Sequence, residues 1–385
     1  MAIGQARGVL APAQSSVTRP VSRIVVVGAS ISGLACALAC ARAGASVAVL
    51  EARAKAAPIP AHLDIVPNLL RDFARLGIAE ECVRRGFAYH GMAVVNEDGQ
   101  HGFEIPTPRL AGSHLPCAAG IAYDDALEVL RNRSQAAGAV IHSGSRVDSV
   151  DADSGRVAIA GGGALDADLI ILATGANSAL AAQVFGSRWR STPAQSWWHA
   201  LLPRPTGLDR TTWMAGGPGR RLLLVPVDMS RAGVAVVRTQ AIGPRTDGSA
   251  LRDTLATWGQ LPRRLAHLMQ PETPTTIRTA NVTFLEPPWY RGAVVCAGAC
   301  ANAVPPPFGQ SAAQALEDAT VLGDLVAARL DRATLQQQYM FRRGARAGRV
   351  HELLERAQRW MFQPEPATDL LALARDLGSI VAHPA

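Results

Sequence analysis

Lysine is almost absent from this chain. Lys55 is the only one in 385 residues, so the 38 basic side chains and the net charge of +7 rest on arginine. A biased base composition of the genome accounts for that as well as any function does. Arg342, Arg343, Arg346, Arg349, Arg356 and Arg359 cluster near the C-terminus, but aromatic residues make up only 5% of the chain. Nucleic-acid surfaces pair such clusters with aromatic platforms, so the cluster reads as the solvated face of a helix and no nucleic-acid partner is expected. No apolar run approaches the roughly 20 residues that cross a bilayer, which argues against a membrane span. Cys36, Cys40, Cys82, Cys117, Cys296 and Cys300 form no CxxC and have no histidine pair at metal spacing. No metal site is expected, and the cysteines, four of them in alanine- or valine-rich segments, suggest a reduced, cytoplasmic protein. There is no P-loop, no HExxH and no serine at nucleophile-elbow spacing. Residues 1–20 lack an apolar core and read as a flexible arm.

What is present begins with length. A chain of this size exceeds the roughly 250–300 residues at which single cores stop growing, so two lobes are expected. The run RIVVV leads into GASISG, residues 28–33, then an alanine-rich segment, Gly44 and SVAVLE. This is a strand, a tight turn, a helix and a second strand, the βαβ unit that holds the pyrophosphate of a dinucleotide at a helix N-terminus. Gly28 makes the turn and Gly33 lets the helix pack on the sheet. Ser30 replaces the middle glycine, and its hydroxyl is small enough to let a phosphate approach and to bond it. Glu51 lies 23 residues after Gly28, where an acid accepts hydrogen bonds from ribose hydroxyls.

The unit alone does not separate NAD from FAD. A plain dehydrogenase, one reading left open, would continue with alternating strands and helices, whereas this chain leaves that pattern after Glu51. Three later stretches decide. HLDIVPNLLRDFARLGI from His62, DADLIILATGANSAL from Asp166 and RGAVVCAGACANAVPPPFGQSAAQALEDATVLGDLV from Arg291 resemble the class A FAD-dependent aromatic hydroxylases, the family typified by para-hydroxybenzoate hydroxylase. The resemblance runs from about Ser22 to about Arg349. It implies an α/β architecture of the GR2 flavoprotein type: a Rossmann-like FAD-binding domain from 21–184 and 285–345, an inserted mixed or antiparallel β-sheet substrate domain at 185–284, and C-terminal helices at 346–385.

On this resemblance FAD is held by Gly28, Ser30, Ile31, Ser32, Gly33, Glu51, Arg53, Thr174, Gly175, Gly298, Ala299, Pro305, Gly309, Gln310 and Ser311. In the third stretch a buried strand runs into the stiff loop Pro305–Pro307 and then a helix near Gln310, whose free N–H groups suit the carbonyl edge of a flavin as it gains negative charge. The chain also departs from the family. The aspartate of its "GD" pair, which holds a ribityl hydroxyl, is Ala299, and that of its "DG" pair is Thr174. Asn302, Ala313 and Asp124 stand in place of a histidine, an asparagine and an arginine. Each lost charged acceptor costs about 1.5–3 kcal/mol of binding, which predicts loosely held FAD or a ribityl chain held by Asn302 or water.

Between Phe185 and Glu286, WWHALLPRP, RRLLLVPVD and AGVAVVRTQ read as strands of a second sheet, which the resemblance places over the flavin. Trp197, Trp198, Trp213, Pro306 and Phe308 are the expected substrate pocket, with at most one of the adjacent tryptophans facing it, because neighbours on a strand point to opposite faces. His199 is the candidate catalytic base toward a phenol. Arg220 and Arg221 offer a site for a substrate carboxylate, but a solvated hairpin is the preferred reading.

The resemblance implies an oxidoreductase: a flavin monooxygenase that takes electrons from NADH or NADPH and hydroxylates a small aromatic or N-heterocyclic substrate through a flavin C4a-hydroperoxide, as a monomer or homodimer. The departures around the flavin leave open a second reading, a flavin fold without oxygenase turnover that serves as a cyclase, isomerase or pathway partner.

Overall fold

The computed structural model describes residues 19–385 apart from 56, 101, 217–218, 239–246, 306 and 366, and leaves out the side chains of 193–194, 279–281 and 307. The arm expected at residues 1–20 therefore lies almost wholly outside the described residues. The chain starts in earnest at β1 (Arg23–Val27), whose last four residues are all buried, as a β-branched run in the middle of a parallel sheet must be. Helix α1 (Ile31–Arg42) follows, and eleven of its twelve residues are buried. A helix apolar all round needs cover on both sides. One side is the sheet; the other is the helix Gln310–Ala327, where a Cβ at Gly323 would stand 2.8 Å from that of Ala39. Gly44, with φ of +90°, ends the helix and turns the chain into β2 (Ser46–Glu51).

β1 sits centrally in a six-stranded sheet. β2 and then Val140–Ser143 lie on one side; Leu169–Leu172, Val294–Cys296 and the short antiparallel edge Tyr290–Arg291 lie on the other. The outermost parallel partner arrives from more than 100 residues downstream, which makes this domain discontinuous in sequence. Its core gathers Val26, Leu34, Leu38, Val49, Ile170 and Val294 with the cysteines Cys36, Cys40 and Cys296. All six cysteines are free thiols.

An eight-stranded mixed sheet forms the second lobe, in the order Asn302–Ala303, Thr275–Leu285, Trp189–Pro203, Arg231–Arg238, Arg220–Pro226, Thr212–Ala215, Met92–Asn96 and Phe103–Ile105. Neighbours are antiparallel except Thr212–Ala215 on Met92–Asn96. The span 185–284 supplies five of these strands, and the sheet is wider than that span because it recruits pieces from 92–105 and 302–303. A third small sheet pairs β3 (His62–Ile65) with Ala118–Ala122. The boundary expected at residue 346 falls inside one continuous helix, Arg332–Phe362, capped by Asp331, whose carboxylate accepts from the amides of Ala333 and Thr334. Among the described residues no helix is long and apolar enough to cross a membrane, and no cluster of His, Cys, Asp and Glu could hold a metal.

The arginine cluster is not one solvated face. Arg343 is fully buried: its Nε donates to Asp318 Oδ1 at 2.6 Å, Nη1 to Glu317 Oε2 at 2.5 Å and Nη2 to Gln314 Oε1 at 2.9 Å. Arg346 and Arg71 donate to the same Glu317. Burial works to raise the Glu317 pKa, but the three guanidinium groups outweigh it and hold the carboxyl below its usual range. For Asp318, burial prevails over Arg343 and the pKa is raised. The helical period sets 343 and 346 toward the neighbouring helix while Arg349, Arg356 and Arg359 face solvent.

Candidate functional site

At the C-terminal ends of β1 and β2 the backbone opens a cradle. Gly28 has φ of +102°, and a Cβ there would come within 2.7 Å of the Ala173 carbonyl; a Cβ at Gly33 would come within 1.8 Å of the Gly28 carbonyl. Only glycine allows helix and strand to meet so closely. Ser30 is the N-cap of α1 but makes no capping bond, and its hydroxyl reaches only the Ala173 carbonyl at 3.5 Å. The first amides of α1 are left for an anion. Across the turn, Glu51 Oε2 accepts from the Ala29 amide at 2.9 Å and Oε1 from the amide and Nε of Arg53, both at 3.0 Å. Burial would raise its pKa, yet these bonds prevail and hold the carboxylate below its usual range. A carboxylate has about four acceptor sites, so capacity remains for hydroxyl donors.

This cradle is one end of a cavity of about 710 Å³, within the size range of cofactor sites. Its walls include Val27, Gly28, Ser30, Ile31, Ser32, Glu51 and Arg53 at the nucleotide end, with Ser145 and Arg146 beside them. The middle is formed by Thr174, Gly175, Ala299, Gly309, Ser311, Ala312 and Ala315. The far end is Ala61, His62, Leu63, Asp64, Tyr123, Trp197, His199, Leu223 and Arg278. The helix Gln310–Ala327 begins at this cavity from Gly309, which is left-handed and supplies no side-chain cap, so its first N–H groups are free.

Several expected site residues do something else. Gln310 is buried away from the wall and exchanges amide bonds with Asn68, at 3.0 and 3.1 Å, tying two helices together. Gly298 is behind the wall: its amide donates to Asp318 at 2.8 Å, and a Cβ there would meet Ser32 Oγ at 2.3 Å. Pro305 is buried and not on the wall, and Pro306 lies outside the described residues. Trp197 and His199 share one face of their strand and reach the cavity, while Trp198 points the other way into a core with Leu222, Leu224 and Trp258. Trp213 stands behind Trp197, edge-on at 5.9 Å, and Phe308 joins the same apolar cluster. Asn302 bonds His351 Nδ1 at 2.8 Å, and Asp124 accepts the Ile59 amide at 2.8 Å. The Arg220 guanidinium lies over the face of the Trp258 ring, 4.7 Å from its centroid, and donates to the Thr257 hydroxyl, while Arg221 is largely buried. The solvated hairpin expected there is a packed one.

Burial changes the part His199 can play. Its ring stacks on Trp197 at 6.0 Å and meets His62 edge-on, and burial, with the His62 and Arg278 charges, pushes its pKa well below the ordinary value. At neutral pH it is an uncharged hydrogen-bonding group and a poor base. Among the wall residues not singled out from sequence are His62, Asp64 and Arg278. His62 rests on the backbone of Gly233, where a Cβ would come within 2.3 Å of Nδ1, and burial lowers its pKa to about 4. Asp64, two residues on and on the same strand face, accepts from the Tyr89 hydroxyl; burial pushes its pKa up to about 6 against that bond. The period-2 pattern of HLDI held the signal, because the polar pair is paired by alternation.

With this geometry in view, residues 22–353 match the family described as FAD binding domain. FAD-dependent urate hydroxylase of Klebsiella oxytoca is 28% identical over 357 residues, covering 88% of this chain and 89% of that protein. Among solved structures, a mutant of 2-methyl-3-hydroxypyridine-5-carboxylic acid oxygenase superposes with a TM-score of 0.77 at 21% identity, over 93% of this chain and 96% of that one. Klebsiella pneumoniae HpxO complexed with FAD and uric acid gives a TM-score of 0.76 at 23% identity, over 94% and 95%. The chain belongs to the FAD binding domain family and, within it, to the class A flavin-dependent aromatic hydroxylases, which are monooxygenases. The residues present fit FAD: a glycine cradle that a Cβ would fill, uncapped helix amides for the pyrophosphate, and an ionised acid with free acceptor sites for the ribose.

Proposed function

We propose that the chain hydroxylates a small aromatic or N-heterocyclic ring lying between Trp197, His62, His199 and Arg278, at the expense of NADH or NADPH. The observation that carries this is the continuity of one cavity from Glu51 to His199, so that a dinucleotide held at the cradle shares its enclosure with the aromatic end. FAD, when bound, supplies the electron transfer and oxygen chemistry. The protein's part is to bind and to orient. Gly28, Ser30 and the first turn of α1 hold the pyrophosphate, with Glu51 and Arg53 at the ribose. Thr174, Gly175, Ala299, Gly309 and Ser311 flank the cofactor's central and ring portions. Trp197 gives a stacking face, and His199 holds a ring hydroxyl or nitrogen by a neutral hydrogen bond. Asp64, with its pKa near 6, is the better proton acceptor, and Arg278 faces a substrate anion. Relatives acting on urate and 6-hydroxynicotinate are consistent with a polar heteroaromatic substrate.

The test is oxygen uptake and NAD(P)H oxidation by FAD-loaded protein against a panel of aromatic and heteroaromatic acids that includes uric acid. One compound should stimulate both and emerge hydroxylated. Thr174 and Ala299, both on the cavity wall, support the second reading, a flavin fold without oxygenase turnover. Firm FAD binding with no compound stimulating oxygen uptake would favour it.

A further inference from the structure

We infer that Tyr89 is a positioning residue for proton transfer: it reaches across a strand to hold one oxygen of Asp64 and leaves the other to take a proton from the ring in the cavity. This rests on the hydroxylation proposed above, with Asp64 as the proton acceptor. Tyr89 is not on the cavity wall, so it acts through Asp64 alone. The reach follows from the sequence of the strand between them. β3 and the strand Phe87–Tyr89 both pair with Ala118–Ala122, which lies in the middle of the small sheet. Asp64 and Phe87 stand opposite each other across Gly120, and Tyr89 stands beside Ala118, so all share one face. Strands that flank a third are about 10 Å apart, a gap that a short polar side chain does not close. Here the middle strand offers only Gly120 and Ala118 on that face, and the Tyr89 hydroxyl donates to Asp64 Oδ1.

The same glycine lets the second lobe close over the pair, since a Cβ at Gly120 would come within 2.1 Å of the Pro226 carbonyl oxygen. Asp64, Tyr89 and Thr211 are all buried there. The Thr211 hydroxyl is near enough to lower the pKa of both groups but makes no well-aligned hydrogen bond, so Tyr89 is the one aligned donor to this carboxyl among the described residues. Burial pushes the Asp64 pKa up to about 6, with Tyr89 opposing it. Without the phenol it would rise further, and a carboxyl already protonated at neutral pH accepts nothing. Tyr89 keeps its own proton, because burial and the Asp64 charge hold its pKa well above the ordinary value. The proton therefore passes from a ring O–H or N–H to the Asp64 carboxylate, and the ring is left as its anion. His62 on the same strand, and His199, Arg278 and Tyr123 from the elements facing it, are the other titratable or charged groups at this end of the cavity. Burial holds both histidines neutral, so neither takes that proton first.

The experiment is an infrared pH titration of the FAD-loaded chain without substrate, reading the carboxylic acid C=O band that Asp64→Asn removes. The wild-type band should titrate near pH 6. Tyr89→Phe, which keeps the ring and loses the donor, should move the midpoint up by at least about one unit, tenfold in the acid dissociation constant. Replacing the Tyr89 phenol with its 3-fluoro analogue, a stronger donor, should move the midpoint down, which repacking alone would not do. With the aromatic that the uptake panel identifies, the acid limb of the kcat/KM profile should follow the infrared midpoint in each variant. A midpoint that Tyr89→Phe leaves in place overturns the inference and leaves the hydroxylase reading untouched. A midpoint that moves while the acid limb stays overturns it too, because Asp64 is then not the acceptor. A wild type that hydroxylates no compound removes that reading first, and the role of Tyr89 in the reaction falls with it.

Discussion

His62 and His199 meet edge to face across the far end of the cavity, their ring centroids 5.7 Å apart and their planes 65° apart. They come from different sheets, His62 from β3 and His199 from the strand Trp189–Pro203. Two imidazoles so close and so enclosed are held neutral, since a proton on either would be poorly solvated and would repel one on the other.

That has a consequence for stability. Below pH 6.5 the unfolded chain takes up a proton that folded His62 refuses down to about pH 4. Stability from this group is therefore full above 6.5 and falls as the pH drops through that window, by on the order of 3 kcal/mol in all. Asp64 acts in the opposite sense: its folded pKa of about 6 lies above the unfolded value of 3.8, so its contribution is lost as pH rises between them. Calorimetric melting of wild type and H62Q from pH 4 to pH 7.5 should show the wild type's advantage over the variant shrinking toward pH 4. Parallel curves would refute the assignment.

The cradle makes a separate prediction. Gly28→Val puts a branched side chain at positive φ and against the Ala173 carbonyl, so FAD affinity should drop at least about tenfold. Fluorescence titration of FAD into apoprotein measures it, and an unchanged dissociation constant would remove the nucleotide site from the cradle.

Arg343, which is not on the cavity wall, is expected to matter for folding. Arg343→Met leaves Glu317 and Asp318 with fewer cations in a dry interior, where breaking one partner of a buried pair costs about 3–5 kcal/mol. The urea midpoint should fall accordingly. A midpoint near the wild type's would show that Arg71 and Arg346 suffice for Glu317 and that the Gly298 amide suffices for Asp318.

The adjacent tryptophans separate packing from binding. Trp198→Ala empties a core of Leu222, Leu224 and Trp258 and should cost about 3–5 kcal/mol while leaving the spectrum of bound flavin unchanged. Trp197→Ala should alter the flavin's fluorescence as well, because Trp197 lines the cavity. Equal spectral effects from both would contradict the strand's alternation.

The βαβ unit was legible because its signals are local: RIVVV, the positive-φ Gly28, the Gly44 stop and Glu51 each state their role within a few residues. The start of the helix at Gln310 and the strands around Trp197, Arg221 and Val234 were readable for the same reason. The far end of the cavity was not. His62 and Asp64 share one strand, but Arg278 lies on a strand of another sheet more than 200 residues later, and only the packing of the two sheets brings them to one wall. Gln310 resembled a cofactor contact by position in a motif, but Asn68, 242 residues away in sequence, claims its amide. Arg343 resembled a surface charge because its partners, Glu317 and Asp318, sit on a neighbouring helix. Pairings between distant elements carry no local signature.

The most direct measurement of the central claim is the visible absorption spectrum of the purified chain, before and after FAD is supplied and the excess removed, followed by NAD(P)H oxidation under air. The account predicts one flavin per chain, retained non-covalently, with NAD(P)H consumption that rises when the right aromatic is added. A folded protein that stays colourless after FAD is supplied would contradict it, and would mean that Thr174 and Ala299 mark a flavin site that no longer works.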